Sequence, residues 1–324
     1  MPRLPARDTI PRLRIVFFGT PEFSVPSLSR LLEEGFDVPL VVTRPDRPVG
    51  RSARPVPSPV AAFARTRDLA VSKPERVKQN PDLSRSLADA SPDAAVVVAY
   101  GKILPSELLD LPRLGSINLH ASLLPRHRGA SPVQAAILAG DRETGVVTMR
   151  MAEELDTGPL YRERRVTVGE NESAGSLSRR LSTGGADLLV ETLRGLEAGG
   201  LMPRPQEGEP TYCRPLRRED GRADWSLTSA EIERRLRAFT PWPGLYTFLG
   251  SDRVKILEAE LGGGTGREPG EIWIENGNAF VAAGGGSSLN LARVQRSGKR
   301  PVAGAELLRS LPDGRARFAS SPED

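Results

Sequence analysis

Imidazole is nearly absent from this chain. Its 324 residues include two histidines, His120 and His127, and both fall in one stretch, INLHASLLPRHRGASP (117–132). Cysteine is scarcer still. Cys213 stands alone, which excludes an internal disulfide framework and a cysteine-based metal cluster and fits a reducing cytoplasm. No run approaches the ~18–20 apolar residues of a membrane span. The opening MPRLPARDTIPRLR is basic but holds no apolar stretch, so it reads as a loose tail or an over-long start and not as a secretory signal. No internal repeat is present. A phosphate loop is missing too: Gly262 to Gly264 is not followed by Gly-Lys-Ser/Thr, and a flexible loop is expected there.

What remains is the make-up of an ordinary globular protein, with 38% hydrophobic and 27% charged residues, long enough for two domains. A net charge of +4 and a pI near 9.5 permit a polyanionic partner without requiring one.

The first half alternates short Val/Ile-rich strands with helical patterns. RIVFF (14–18), VPLVVT (38–43), DAAVVVA (93–99), SINLH (116–120) and GVVTMRM (145–151) read as buried strands. PSLSRLLEEG aligns Leu28, Leu31 and Leu32 and ends on Gly35. Ser58-Pro59 and Ser131-Pro132 read as helix starts, and 174–198 as a long helix weakened by Gly184-Gly185. Such alternation predicts an α/β domain with a mostly parallel, Rossmann-like sheet over 14–198, whose sites lie at the carboxyl ends of strands. EAGGLMPRPQEGEP marks a linker, taken as 199–213. After it, short strands in a row, an Asn-Gly turn and a closing helix predict a smaller β-barrel of OB-like type over 214–324.

In a strand, residues i and i+2 share a face, so Asn118 and His120 point together while Ile117 and Leu119 point into the helix layer. A polar pair at the end of a buried strand must be satisfied or used. A structural histidine bonded to a nearby loop is one outcome, a catalytic imidazole the other. His127, between two arginines, is expected at the surface and outside the chemistry. LDTG (155–158) follows the next strand, so Asp156 is expected beside His120, with a local Asx-turn as the alternative. An aspartic protease is excluded, because it needs two such carboxylates. Asn, His and Asp with no serine elbow suit acyl transfer to a nucleophile that the substrate brings. Asn118 can donate to an oxyanion, His120 can shuttle a proton, and Asp156 can orient the imidazole and tune its pKa, or pass the proton on through water.

At this point the chain resembles the methionyl-tRNA formyltransferases, a family of folate-dependent formyltransferases. The resemblance is carried by FGTPEF (18–23), TRPDRPVGR (43–51), PSPV (57–60), VVVAYGKILP (96–105), INLHASLLPRHRGASP (117–132), GDRETGVVTM (140–149), LDTG (155–158), DWS (224–226) and RAFTPWPG (237–244). It implies formyl transfer from 10-formyltetrahydrofolate, as co-substrate, to the amino group of methionyl initiator tRNA, with no metal. By motif it implies Asn118, His120 and Asp156 as the catalytic trio. Ser122, Leu123, Leu124 and Pro125 would line the folate site through their backbone. Arg47, Arg51 and Arg54, in a proline-stiffened loop, would meet the tRNA, with Arg51 at the family's key arginine. Where the family often has GRGKK this chain has GRSAR, and Arg is not equivalent to Lys. CRPLRRE (213–219), Arg234, Arg235, Lys299 and Arg300 are further candidates for phosphate contacts in the barrel. A cytoplasmic monomer is expected. A formyltransferase acting on a nucleotide sugar, or a tRNA-binding relative without catalysis, is the competing expectation. The arginine loop argues against the first and the intact trio against the second.

Overall fold

The computed structural model describes residues 12–48, 54–311 and 316–321. The chain divides into two compact units. The first takes the chain up to Gly129, then Glu143–Thr167 and Ser178–Tyr212. The second takes Ala130–Arg142, Val168–Leu177 and the chain from Cys213 on. No described helix is long and apolar enough to cross a membrane.

The first unit is built on a seven-stranded sheet. Its strands are β1 (Arg14–Gly19), β2 (Asp37–Val42), β3 (Val71–Ser72), β4 (Ala94–Val98), β5 (Ser116–His120), β6 (Glu143–Arg150) and β7 (Leu160–Thr167). They lie in the order β7-β6-β5-β4-β1-β2-β3. From β5 to β3 all pairs are parallel, whereas β6 and β7 are antiparallel. The strand read from GVVTMRM is therefore present but runs opposite to the five strands before it. β7 was not anticipated: LYRERRVT carries four charges, and its side chains are exposed or half-buried beyond Tyr161. Charge on an edge strand blocks pairing with a further chain.

Helices cover both faces, as the alternation requires. Val16, Phe18, Leu40, Val42, Ala95 and Val97 face α3 (Pro81–Ala90) and α4 (Ser106–Leu109), through Leu83, Leu87, Ala90, Leu108 and Leu109. On the opposite face Leu119 meets α6 (Ala174–Glu197). A Cβ on Gly185 would stand 2.8 Å from a Leu119 methyl. Gly184-Gly185 thus leaves the helix unbroken and lets it approach the sheet closely. α1 (Val25–Glu33) ends before Gly35, whose φ of +78° suits glycine, and α2 (Pro59–Arg65) is capped by Ser58 Oγ accepting from Ala61 N.

The second unit contains α5 (Pro132–Ala139), α7 (Ser229–Ala238) and α8 (Gly304–Arg309) and a curled antiparallel sheet. Its strands are β8 (Leu245–Leu249), β9 (Asp252–Leu261), β10 (Glu271–Glu275), β11 (Asn278–Ala283), β12 (Ser287–Arg296), β13 (Val302–Ala303) and β14 (Ala316–Arg317). The order is β8-β9-β12-β11-β10-β14, and an antiparallel bridge between Phe248 and Ala319 brings the two ends together, as a barrel requires. Asn276 and Gly277 both have positive φ in the β10–β11 hairpin. Gly262 and Gly263 are not loose. Gly262 N donates to Ser288 O at 2.8 Å and Gly263 O accepts from Ser288 Oγ at 2.7 Å.

The turn from β6 to β7 sets up the site. Arg150 lies opposite Ile117, so β6 ends beside the start of β5. Residues 151–159 must double back to reach His120. They do so by laying Gly158 onto the strand end, where a Cβ would stand 1.7 Å from the Arg150 carbonyl oxygen. Gly158→Ala is expected to lower the stability of this unit by about 1–3 kcal/mol, because the obstacle is backbone and cannot yield. Urea unfolding checks it against Gly200→Ala, whose Cβ meets nothing within 4 Å. Equal midpoints would show that the loop relaxes freely.

Candidate active site

β5 is buried along its whole length, and Asn118 and His120 emerge on the face of Val97, Val147 and Met149. They sit about 7 Å apart, two residues of strand. Asn118 is 8% and His120 6% exposed, so both leave water and need partners.

The chain after His120 turns back on itself to supply one. Ser122 Oγ donates to Arg126 O at 2.6 Å, and Arg126 N donates to Leu123 O at 3.2 Å. His127 then adopts φ +58°, unusual for a residue with a side chain. Its carbonyl oxygen lies 3.1 Å from His120 Nε2. A carbonyl can only accept, so Nε2 carries the hydrogen. The other ring nitrogen, Nδ1, faces Asp156 Oδ2 at 3.7 Å, longer than the ~2.7–3.2 Å of an N–H···O bond. Imidazole and carboxylate therefore face each other across a gap, with side chains only 7% and 10% exposed. Asp156 Oδ2 also accepts from Gly129 N at 2.8 Å, and Asp156 itself sits at φ +53°.

His127 corrects one expectation. It is 8% exposed and not a surface residue. Its ring still has no assigned role, but its backbone presents the acceptor to His120. Part of the stretch read as a linker is stitched to the site. Arg204 pairs with Leu160 through both backbone groups at 2.7 and 2.8 Å. Gln206 Nε2 donates to Asp156 O and to Gly158 O, each at 2.8 Å. Thr211 Oγ1 accepts from His127 N at 2.8 Å, Thr211 N donates to Pro125 O at 3.2 Å, and Thr211 O accepts from Arg128 N at 2.8 Å. Gln206 and Thr211 escaped the sequence reading, since hydrogen-bonding straps leave no hydrophobic period.

The other expected residues spread over two neighbouring regions. Ser122, Leu124 and Pro125 are buried. Leu124 packs with Val147, Met149 and Leu160, with Leu123 against that cluster, so the side chains of this run build a wall. Nearby, the carboxyl ends of β1 and β4 meet where the sheet order reverses, and Thr20 Oγ1 donates to Tyr100 O at 3.0 Å there. Burial pushes the Tyr100 hydroxyl up to about 12, with Arg44 opposing.

The arginine loop rises on a two-residue ladder, Arg47–Pro48 against Pro55–Val56. Lys73 Nζ binds Asp46 Oδ1 at 2.5 Å, with both side chains mostly buried, and Arg47 meets Glu75 at 3.2 Å in the open. Lys102 Nζ donates to Pro74 O and Glu75 O at 2.7 Å. Burial draws Lys102 below the usual lysine value, with Arg44 and Arg47 adding to this and Glu75 opposing it. Arg54 is exposed at the foot of the loop, and Arg51 lies outside the described residues. In the second unit, Arg214 is matched by Asp220, whose carboxyl this partner holds down at about 2. Arg234 turns its stem onto Gly140, while Lys299 and Arg300 stand exposed. Among the described residues no group of three or more His, Cys, Asp and Glu is placed to hold a metal ion.

Comparison with known proteins places the chain in a family. Residues 13–193 match the formyl transferase family and 215–312 match the formyl transferase C-terminal domain. The chain is 45% identical over 297 residues to a methionyl-tRNA formyltransferase of Thermus thermophilus, covering 92% of this chain and 96% of the relative. To that of Caldanaerobacter subterraneus subsp. tengcongensis it is 42% identical over 305 residues, covering 93% and 99%. Among solved structures, WlaRD, a sugar 3N-formyl transferase, superposes with a TM-score of 0.63 at 17% identity, over 90% of this chain and all of that one. HypX from Aquifex aeolicus, in complex with tetrahydrofolic acid, gives 0.59 at 19% identity; the chain spans about half of its length, 47%. At such identity these two structures show a shared fold. Both halves matching in order, and relatives alike over nearly the full length, show that the chain belongs to the formyl transferase family, alongside its methionyl-tRNA formyltransferases.

Proposed function

We propose that this chain transfers the formyl group of 10-formyltetrahydrofolate to the α-amino group of methionyl initiator tRNA in the cytoplasm. The observation that carries the proposal is a buried imidazole and a largely buried carboxylate, brought face to face at the end of β5 beside Asn118. They occur in a chain more than 40% identical over nearly its whole length to methionyl-tRNA formyltransferases.

The residues fit a folate formyl donor as co-substrate. The Leu123–Leu124 cluster supplies an apolar wall, and the order of the parallel strands reverses between β1 and β4. In the reaction the substrate amine attacks the formyl carbon. A new C–N bond forms and the carbonyl oxygen takes up negative charge. Asn118 donates to that oxygen, a contact that strengthens as charge develops. The amine gives up a proton, the bond from the formyl carbon to the folate nitrogen breaks, and a proton reaches that nitrogen. His120 and Asp156 handle the proton. With Nε2–H committed to the His127 carbonyl, the imidazole faces Asp156 through Nδ1, across a gap open to a proton-bearing group. An α-amine near pKa ~7.7–8.0 needs little further activation.

Asp46–Lys73 and Arg47–Glu75 pair at the foot of the arginine loop, and Arg51 follows along the same stretch of sequence. Guanidinium groups there, with Arg47 and Arg54, would contact phosphate or base edges of the tRNA acceptor end.

Transfer of labelled formyl to charged initiator and elongator methionyl-tRNA, side by side, tests the acceptor. Initiator alone is expected to be formylated. No transfer to either, with intact donor and folded protein, overturns the acceptor and makes a nucleotide sugar the next one to try. His120→Ala is expected to lower kcat at least ~100-fold with an unchanged circular dichroism spectrum. A near-normal rate would remove His120 from the chemistry. Arg51→Leu is expected to raise KM for tRNA while KM for the folate stays put. Equal losses in both would instead point to a displaced loop.

A further inference from the structure

We propose that Gln206 is the positioning residue of this site: its amide joins the loop of Asp156 to the loop whose His127 carbonyl faces His120, and so sets the gap between carboxylate and imidazole. The inference rests on the reading of Asp156 as catalytic.

Every polar atom of the Gln206 amide is spoken for. Its two N–H groups meet two carbonyls of one turn, Asp156 O and Gly158 O, each at 2.8 Å. Its oxygen accepts from Arg128 Nε at 3.2 Å and from Arg128 Nη2 at 2.7 Å. The orientation of the amide is determined by these partners, because carbonyls only accept and a guanidinium only donates. Arg128 is further placed against the Tyr212 ring, 6.0 Å from its centroid. Arg128 follows His127 directly, and its own N–H is held by Thr211 O. One side chain thus ties the two loops that approach His120 from either side.

The tie is needed where the backbone is held away from its ordinary basins. Asp156 at φ +53° and His127 at φ +58° both sit in the left-handed region. Such conformations persist only where surrounding bonds over-determine them. Gln206 grips the carbonyl of Asp156 itself, and beyond it that of Gly158, where the chain is pressed onto Arg150. Releasing both carbonyls frees the Asp156 turn to move while its carboxylate keeps only Gly129 N. A displacement near 1 Å is enough to cost up to ~100-fold in a positioned reaction.

Single-turnover formylation with enzyme in excess tests this. Gln206→Ala and the near-isosteric Gln206→Met are expected to lower the rate of the chemical step ~10- to ~100-fold, with KM for both substrates within about twofold of the parent. Gln206→Glu can still accept from Arg128 but cannot donate to either carbonyl, so it is expected to lose as much as Gln206→Met. In an Asp156→Ala background, Gln206→Met is expected to change the rate less than about twofold, because the two act through one group. A parental rate for Gln206→Glu, or a full further loss in the Asp156→Ala background, overturns the proposal and leaves Gln206 a stabilising strut. If Asp156→Ala alone keeps full turnover, the catalytic reading of Asp156 falls, and this inference with it.

Discussion

The site depends on one constraint: a polar ring at the end of a fully buried strand must be satisfied without water. His120 has two nitrogens to place, and the sheet offers neither a partner, since a strand's own backbone bonds are spent on its neighbours. One nitrogen is met by a carbonyl seven residues on, which requires the chain after β5 to turn back sharply. The other faces a carboxylate that arrives from beyond β6. Leaving either nitrogen in an apolar pocket would cost on the order of 1–3 kcal/mol, so the surrounding loops are shaped by His120 as much as they shape it. The unusual backbone of His127 and Asp156, and the bonds from Thr211 and Gln206, are the consequences.

This explains why so many hydrogen bonds are committed to the two loops that meet at His120. A loop held only by hydrophobic contact has a broad minimum. One held by donor-to-acceptor bonds at 2.8 Å has a narrow one. The arginine loop is treated differently. Its foot is fixed by a mostly buried Asp46–Lys73 pair and a more exposed Arg47–Glu75 pair, the second worth little on its own. Neutral hydrogen bonds thus hold the loops around His120, and ion pairs hold the foot of the arginine loop.

Much of the fold was legible because it is written in patterns of burial. β5 runs over Ser116–His120 as its apolar alternation indicates, Ser58 caps α2 through its side chain, and Asn276-Gly277 turns the β10–β11 hairpin. Asn118 and His120 stood out in the sequence because polar residues are conspicuous against a buried strand. Other features were hidden for physical reasons. β7 is an edge strand whose arginines and glutamate erase any alternation. His127 lies between two arginines and looks solvated, yet its ring is buried because its backbone is needed inside. Gln206 and Thr211 lie in a Pro-, Gly- and Glu-rich stretch that has the composition of a linker. A strap held by single hydrogen bonds needs no hydrophobic residues and so shows no period.

Asp156 is the instructive case, since it was placed beside His120 by a rule that does not hold here. The rule puts functional residues after the carboxyl ends of parallel strands. β6 is antiparallel, and its carboxyl end lies at the wrong end of β5. Left to the sheet alone, the residues after Arg150 would emerge far from the imidazole. They reach it because 151–159 folds back along the strand, a path that only a residue without a side chain permits at Gly158. The glycine that completes LDTG is therefore as much a part of the site as the aspartate. It makes the return path sterically open, and Gln206 then holds the chain on that path through the carbonyls at either end of the turn. Sheet polarity, one glycine and one amide together deliver a carboxylate to a place the strand order would not have put it.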